Sequence, residues 1–122
     1  RLALILLLDQ LPRNIHRGTA QAFAGDAEAL RLTQEGIDQA ADAALDPVER
    51  MFFYMPLQHA ESLEVQEQSV SVFRRLAGEV PEDLQTLFEG VTGYALRHHD
   101  IVRRFGRFPH RNAALGRSST EE

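Results

Sequence analysis

The chain has no cysteine, no lysine and no tryptophan among its 122 residues. Without cysteine there is no disulfide scaffold, no thiolate-ligated zinc and no thiol nucleophile. Without lysine there is neither Schiff-base chemistry nor the lysine of a phosphate-binding P-loop. Long apolar stretches are missing too. The longest covers residues 2–8 and stops at Asp9, far short of the about 20 residues that a membrane-spanning helix needs. It also lacks the basic flank and small-residue cleavage pattern of a secretory signal. A cytoplasmic protein with no membrane partner is the expectation. The chain opens at Arg1 inside this apolar run, without an initiator methionine, so the sequence is expected to start partway into a helix or a longer domain.

What is present suits an ordinary packed core. The chain is 43% apolar and 25% charged, a balance that predicts one globular domain over residues 1–122. All 13 basic residues are arginines, and the formal net charge is −5, which argues against a nucleic-acid partner. The charge is uneven. Residues 1–17 hold three arginines against Asp9, and residues 97–120 hold six against Asp100; residues 18–96 hold four arginines against fourteen acids. Either the basic ends fold onto the acidic middle, or they converge on one anion, which would have to offset their mutual repulsion.

Apolar residues recur at helical spacing almost throughout, and no stretch alternates as a strand does. Asp26 is placed as an N-cap before a stripe of Leu30, Gln34, Ile37, Ala41 and Leu45. Gly36 weakens that helix by about 1 kcal/mol relative to alanine. Asp46-Pro47-Val48-Glu49 reads as N-cap, first-turn proline and N3 glutamate of a capping box. Pro56 is expected to kink or end the helix it opens. Another helix is expected over about residues 62–77, stopped by Gly78. Pro81, Glu82 and Asp83 then start the clearest one. Its stripe runs through Leu84, Leu87, Phe88, Val91, Tyr94, Ala95, Ile101, Val102 and Phe105, with Gly106 as C-cap and His98 on the same face. The fold class is all-α, and short connections favour antiparallel helical hairpins.

Three clusters break the amphipathic rule: residues 9–14, His59 with Glu61, and residues 98–119. Polar groups where a helix ends sit beside free backbone groups, which favours binding of an anion or polar ligand. The strings Leu6-Leu7-Leu8-Asp9-Gln10-Leu11-Pro12-Arg13-Asn14, Gly18-Thr19-Ala20, Phe23-Ala24 with Asp26, and Arg104-Phe105-Gly106-Arg107-Phe108-Pro109-His110-Arg111-Asn112 closely resemble the DUF924 family of bacterial proteins. Phe53-Tyr54-Met55-Pro56, His59, Glu61 and Gln66-Glu67-Gln68-Ser69 fit the same family, so the resemblance spans nearly the whole chain. It implies a tetratricopeptide-like αα-superhelix of unassigned function, and members with a longer, aromatic-rich N-terminal segment that this chain is expected to lack. No self-similar 34-residue repeat shows in the sequence itself.

On these residues the expected site is a small-molecule pocket on the concave helical face. Asp9, Arg13, Asn14, Arg107, Arg111 and Asn112 would bind a small anionic ligand, a phosphate ester or a carboxylate. An arginine's planar fork takes two oxygens at once, and Asp9 would orient Arg13. His110 and His59 are the candidate acid–base groups, because a histidine titrates near neutral pH. Arg117 and Ser119 would close over the top. No cofactor and no metal are expected. A metal site drawing on His59, His98 and His110 is the less favoured alternative, since His59 and Glu61 lack a zinc-helix spacing.

Each feature also has a plainer explanation. His98 on an apolar stripe reads first as a core histidine, and Asn14 as a local cap. Asp9–Arg and Glu61–Arg pairs could simply pin helix ends together, in which case their loss costs stability and nothing binds. A third alternative is an interaction module in which the arginines clamp an acidic peptide. Exposed apolar surface on residues 2–8 would favour self-association, a homodimer being the simplest form.

Overall fold

A computed structural model describes residues 1–118. Six α-helices and three short 3₁₀ turns make up the described residues, with no strand among them. Helix α1 spans Leu2–Ile15, α2 Asp26–Asp38, α3 Pro47–Gln58, α4 Leu63–Glu79, α5 Gln85–Phe105 and α6 Asn112–Leu115. The all-α reading therefore holds. Among the described residues, no helix is long and apolar enough to cross a membrane.

Helix α3 is the hub. It packs against α1, α2, α4 and α5, and Met51, Phe53, Tyr54, Pro56, Leu57 and Gln58 are all buried. A helix apolar around most of its circumference has to be covered on several sides. Its neighbours supply Ile5, Leu32, Val72, Phe73, Leu76, Phe88 and Ala95 to one continuous core. Two glycines permit the tightest approaches. A Cβ at Gly36 would meet the Phe53 ring at 2.4 Å, and one at Gly25 would meet the Leu8 carbonyl oxygen at 2.2 Å. The helix-weakening glycine of α2 is thus the one on which α3 lies. Gly25 lets the start of α2 press against α1.

The local signals place most boundaries. Asp46 accepts from the Glu49 amide while the Glu49 carboxylate accepts from the Asp46 amide, closing the capping box. The Ser62 hydroxyl caps α4, and Gly106 ends α5 in the left-handed conformation. Five expectations need correction. Helix α2 stops at Asp38, and Ala41 and Leu45 reach the core from a turn, where Ala40 has a φ of 57°. Gly25, not Asp26, is the N-cap of α2, which frees the Asp26 side chain for Arg13. Of the two outcomes expected at Pro56, a kink or an end, it is not an end: α3 continues through it to Gln58. Gly78 lies within α4, which runs on to Glu79. On α5 the buried line is Phe88, Ala95 and Val102, while Leu87 and Tyr94 face outward.

Beyond α5 the chain turns at Gly106, buries Phe108, and returns through the 3₁₀ turn Pro109–Arg111 into α6. This arm meets the C-terminal end of α3 and the start of α2 through Phe108, Arg111 and Arg117. The basic end of the molecule is thereby laid against carboxylates from its acidic middle.

A candidate anion site at the end of helix α3

The site begins with Asp9, which α1 carries on its inward face and which is only 1% exposed. A buried carboxylate has to be hydrogen-bonded, or its desolvation would cost several kcal/mol. Three side chains answer that need. His59 Nδ1 lies 2.7 Å from Asp9 Oδ1, Arg13 donates to the same oxygen at 3.2 Å, and Gln10 donates to Oδ2 at 2.8 Å. Burial pushes the Asp9 pKa up, but the hydrogen bond and charge of His59, with help from Arg13 and Gln10, outweigh it and hold the carboxyl below its usual range. Asp9 is therefore an anion and can only accept. It follows that His59 presents an N–H at Nδ1, and that its Nε2 is the nitrogen left for other work.

Arg13 sits one helical turn beyond Asp9 and is shared between two acids. It donates to both oxygens of Asp26, at 2.6 and 2.9 Å, and to the Asp9 carbonyl at 2.9 Å. This fork joins α1 to the first turn of α2. A second fork closes the other side, where Arg117 donates to Glu61 at 2.8 and 3.0 Å and the Phe108 amide donates to Glu61 Oε2 at 2.7 Å. Burial raises the Glu61 pKa, and the Arg117 and Phe108 hydrogen bonds bring it below its ordinary value. These pairs span 13 and 56 residues in sequence and hold the C-terminal arm and α1 around the end of α3.

Arg111 lies between the two forks and is differently employed. It is 5% exposed and donates one bond, from Nη2 to the His59 carbonyl at 2.9 Å. Its nearest carboxylate oxygens, on Asp26 and Glu61, stand 3.5 and 4.0 Å away. The guanidinium stacks against the Phe23 ring at 4.4 Å and the Phe108 ring at 4.7 Å, a favourable place for a cation. Its buried Nε has no hydrogen-bond partner. Burial, followed by the charges of Arg13 and Arg117 against those of Asp26 and Glu61, lowers the Arg111 pKa from its very high ordinary value.

Two cavities meet at Phe23, His59 and Arg111. The smaller, about 160 Å³, is bordered also by Arg13, His98, Phe108 and His110, and no carboxylate among the described residues lines it. The larger, about 390 Å³, runs along Ala27, Leu30, Pro56 and Leu115, with Asp26 and Glu61 at its edge. His98 packs edge-on against Phe108 at 5.4 Å, and its ring centre is 6.4 Å from that of His59. Burial and the neighbouring charges of His59, His110, Arg111 and Arg97 push its pKa down to about 4. It is neutral at neutral pH, and its buried Nδ1 has no partner. His110 is exposed at the rim; burial and Arg111 lower its pKa, with Glu61 opposing.

Of the expected site residues, the structure brings together Asp9, Arg13, His59, His110 and Arg111. It does not bring Asn14, Arg107 or Asn112 to them. Asn14 is exposed on the outer face of α1, where its amide donates to the Gln10 carbonyl and it borders a depression with Leu6, Leu7 and Leu11. Arg107 donates to the Ser118 carbonyl. Asn112 is buried at the start of α6 and borders neither cavity. Ser119 lies outside the described residues. Asp26, Phe23, Glu61 and His98 complete the site, although the sequence marks Asp26 as a cap and His98 as core. No local signal marks their place in the site, since Asp26 and Glu61 answer arginines 13 and 56 residues away in the chain. Among the described residues, no three histidine, aspartate or glutamate side chains are placed to hold a metal ion.

The molecule is thus an all-helical protein with a cationic cleft framed by saturated ion pairs. The chain belongs to DUF924, bacterial proteins of unknown function, whose family model matches residues 1–122. It is similar to a solved structure from Agrobacterium tumefaciens, a protein of unknown function that is 42% identical, with a TM-score of 0.82 over 98% of this chain. The match covers 62% of the Agrobacterium chain, so this chain spans less than two thirds of that neighbour's length. No curated protein matches.

Proposed function

We propose that the protein binds a small anion, a carboxylate or a phosphate ester, in the cavity bordered by Arg111, Arg13 and the three histidines. The observation that carries this reading is Arg111: a guanidinium stacked against Phe23 and Phe108, with one hydrogen bond to a backbone carbonyl and its nearest carboxylate oxygen 3.5 Å away, on the wall of a cavity that no carboxylate among the described residues lines. An acidic peptide, the alternative partner, needs an extended groove, whereas the cationic cavity has room for about one compact head group at 160 Å³.

Between the two candidate acid–base groups, His59 has the arrangement of a general base. A buried carboxylate fixes its Nδ1–H, and Nε2 is left to accept a proton. His110 has no such partner. With neither thiol nor lysine in the chain, the chemistry open to the site is acid–base chemistry, hydrolysis or elimination, on a bound anion. The helix-pinning alternative also has support, from Arg13 and Arg117, which are spent on carboxylates. We therefore assign those two to the frame and Arg111 with His110 to the ligand.

The test is a thermal-shift screen against phosphate, small carboxylates, phosphate esters and acidic peptides. A ligand at 100 times its dissociation constant stabilises the native state by about 2.7 kcal/mol, a shift of several degrees for a domain of this size. The shift should appear with a small anion and shrink in His110→Ala and Arg111→Lys. A shift with acidic peptides alone would replace this reading with the interaction module.

A further inference from the structure

Resting on that reading, we infer that the natural ligand is an anion carrying an apolar body, with its head group in the smaller cavity and its hydrocarbon in the larger one. The two cavities adjoin, with Phe23, His59 and Arg111 in the lining of both, and because the Phe23 and Phe108 rings stack on the Arg111 guanidinium, one ligand would span them along the edge of Arg111 rather than over its face. The smaller cavity is lined by two arginines and three histidines and, among the described residues, by no carboxylate, which suits a carboxylate or phosphate group. The larger cavity has a different character. Its walls are mainly hydrocarbon, from Ala27, Leu30, Pro56 and Leu115.

The acids at its edge do not make it a polar site. Both Asp26 oxygens accept from Arg13. Both Glu61 oxygens accept from Arg117, and one accepts from the Phe108 amide as well. Neither carboxylate needs a ligand cation or hydroxyl to be satisfied. A sugar or polyol body would find few free polar partners there, while an aliphatic or aromatic body would displace water from apolar walls. The ligand class is thus an apolar acid, a fatty or aryl carboxylate or the corresponding phosphate monoester.

A homologous series of straight-chain carboxylates from acetate to octanoate, titrated calorimetrically into the whole chain, tests this directly. Burial of each added methylene should tighten binding by about fourfold until the cavity is full. Phenyl phosphate should likewise bind more tightly than inorganic phosphate. Ala27→Glu places a charge on the larger cavity from an exposed position of α2, so the fold, checked by circular dichroism and melting temperature, should persist. In that variant octanoate should weaken at least tenfold while acetate stays within about twofold. A second variant, Leu115→Gln, should flatten the series in the same way. Acetate binding with no gain along the series would overturn this inference and leave the anion site standing. Equal weakening of acetate and octanoate in Ala27→Glu would also overturn it. No binding by any carboxylate or phosphate would overturn both.

Discussion

The two flanks of helix α3 use the same device for different ends. On one flank the Tyr54 hydroxyl donates to the buried Asp42, and Arg50 donates to the same hydroxyl and to Glu79. At the C-terminal end the His59 ring donates to the buried Asp9, flanked by Arg13. In each, a ring donor on or just after α3 ties down a carboxylate from a neighbouring segment. The Tyr54 cluster is closed: none of its four residues borders the two cavities at the end of α3. The His59 cluster keeps a free ring nitrogen, an unpartnered guanidinium nitrogen nearby, and two cavities. A buried ion pair therefore does not by itself mark a site. What distinguishes the second cluster is hydrogen-bonding capacity left unspent beside open volume.

The comparison can be broken most forcefully at Asp9. Asp9→Ala removes a carboxylate that three side chains address and leaves Arg13 and His59 without it. Stability should fall by about 3–5 kcal/mol, the usual result of removing one partner of a buried pair, as read from denaturant midpoints. Glu61→Gln should cost less, about 1–3 kcal/mol, and should loosen the C-terminal arm, which amide exchange at Phe108 would report. On the closed flank, Tyr54→Phe should cost about 1–2 kcal/mol through the lost Asp42 bond and leave anion binding unchanged. If Tyr54→Phe abolished binding, the distinction between the two flanks would fail.

Acid sharpens the same contrast. His98 has a folded pKa of about 4 against an ordinary value of 6.5. Between those values the unfolded chain binds the extra proton, so stability should drop as pH falls from about 6.5 towards 4. Asp9 and Glu61, with depressed pKa values, contribute stability above the ordinary carboxylate range and lose it at still lower pH. In His98→Gln the fall in melting temperature between pH 6.5 and 4 should be reduced, and the acid loss below it retained. The smallest effect is expected at Arg103, whose pair with Asp100 is exposed on both sides. Arg103→Ala should melt with the wild type, as screened surface pairs do.

The fold was legible wherever its cause is local. The Asp46–Glu49 capping box, the Ser62 cap and the Gly106 stop involve neighbours within a turn, and the sequence states them. The end of α2 was not legible, because Ala41 and Leu45 keep helical spacing while packing inward from a turn. Gly36 looked like a weakness because the Phe53 ring that occupies its missing Cβ is 17 residues on. The site divides in the same manner. Asp9, His59 and Arg111 stand out as polar residues at helix ends. Which arginines fork onto a carboxylate, as Arg13 and Arg117 do, and which stands further from its acids, as Arg111 does, depends on residues distant in sequence, and spacing carries no trace of that. Asn14 and Arg107 lie next to site residues in sequence but are engaged elsewhere, Asn14 with the Gln10 carbonyl on the exposed face of α1 and Arg107 with the Ser118 carbonyl.

The central claim is that unspent capacity at Arg111 and His59 makes the C-terminal end of α3 a binding site, while the Tyr54 flank is architecture. Backbone amide NMR during titration with inorganic phosphate tests it most directly, because both flanks are read in one experiment. Saturable shifts should cluster at Phe23, His59, His98 and Arg111, and the amides of Asp42, Tyr54 and Glu79 should stay still. Shifts spread over exposed arginines such as Arg103 and Arg31, or none at the end of α3, would contradict the account.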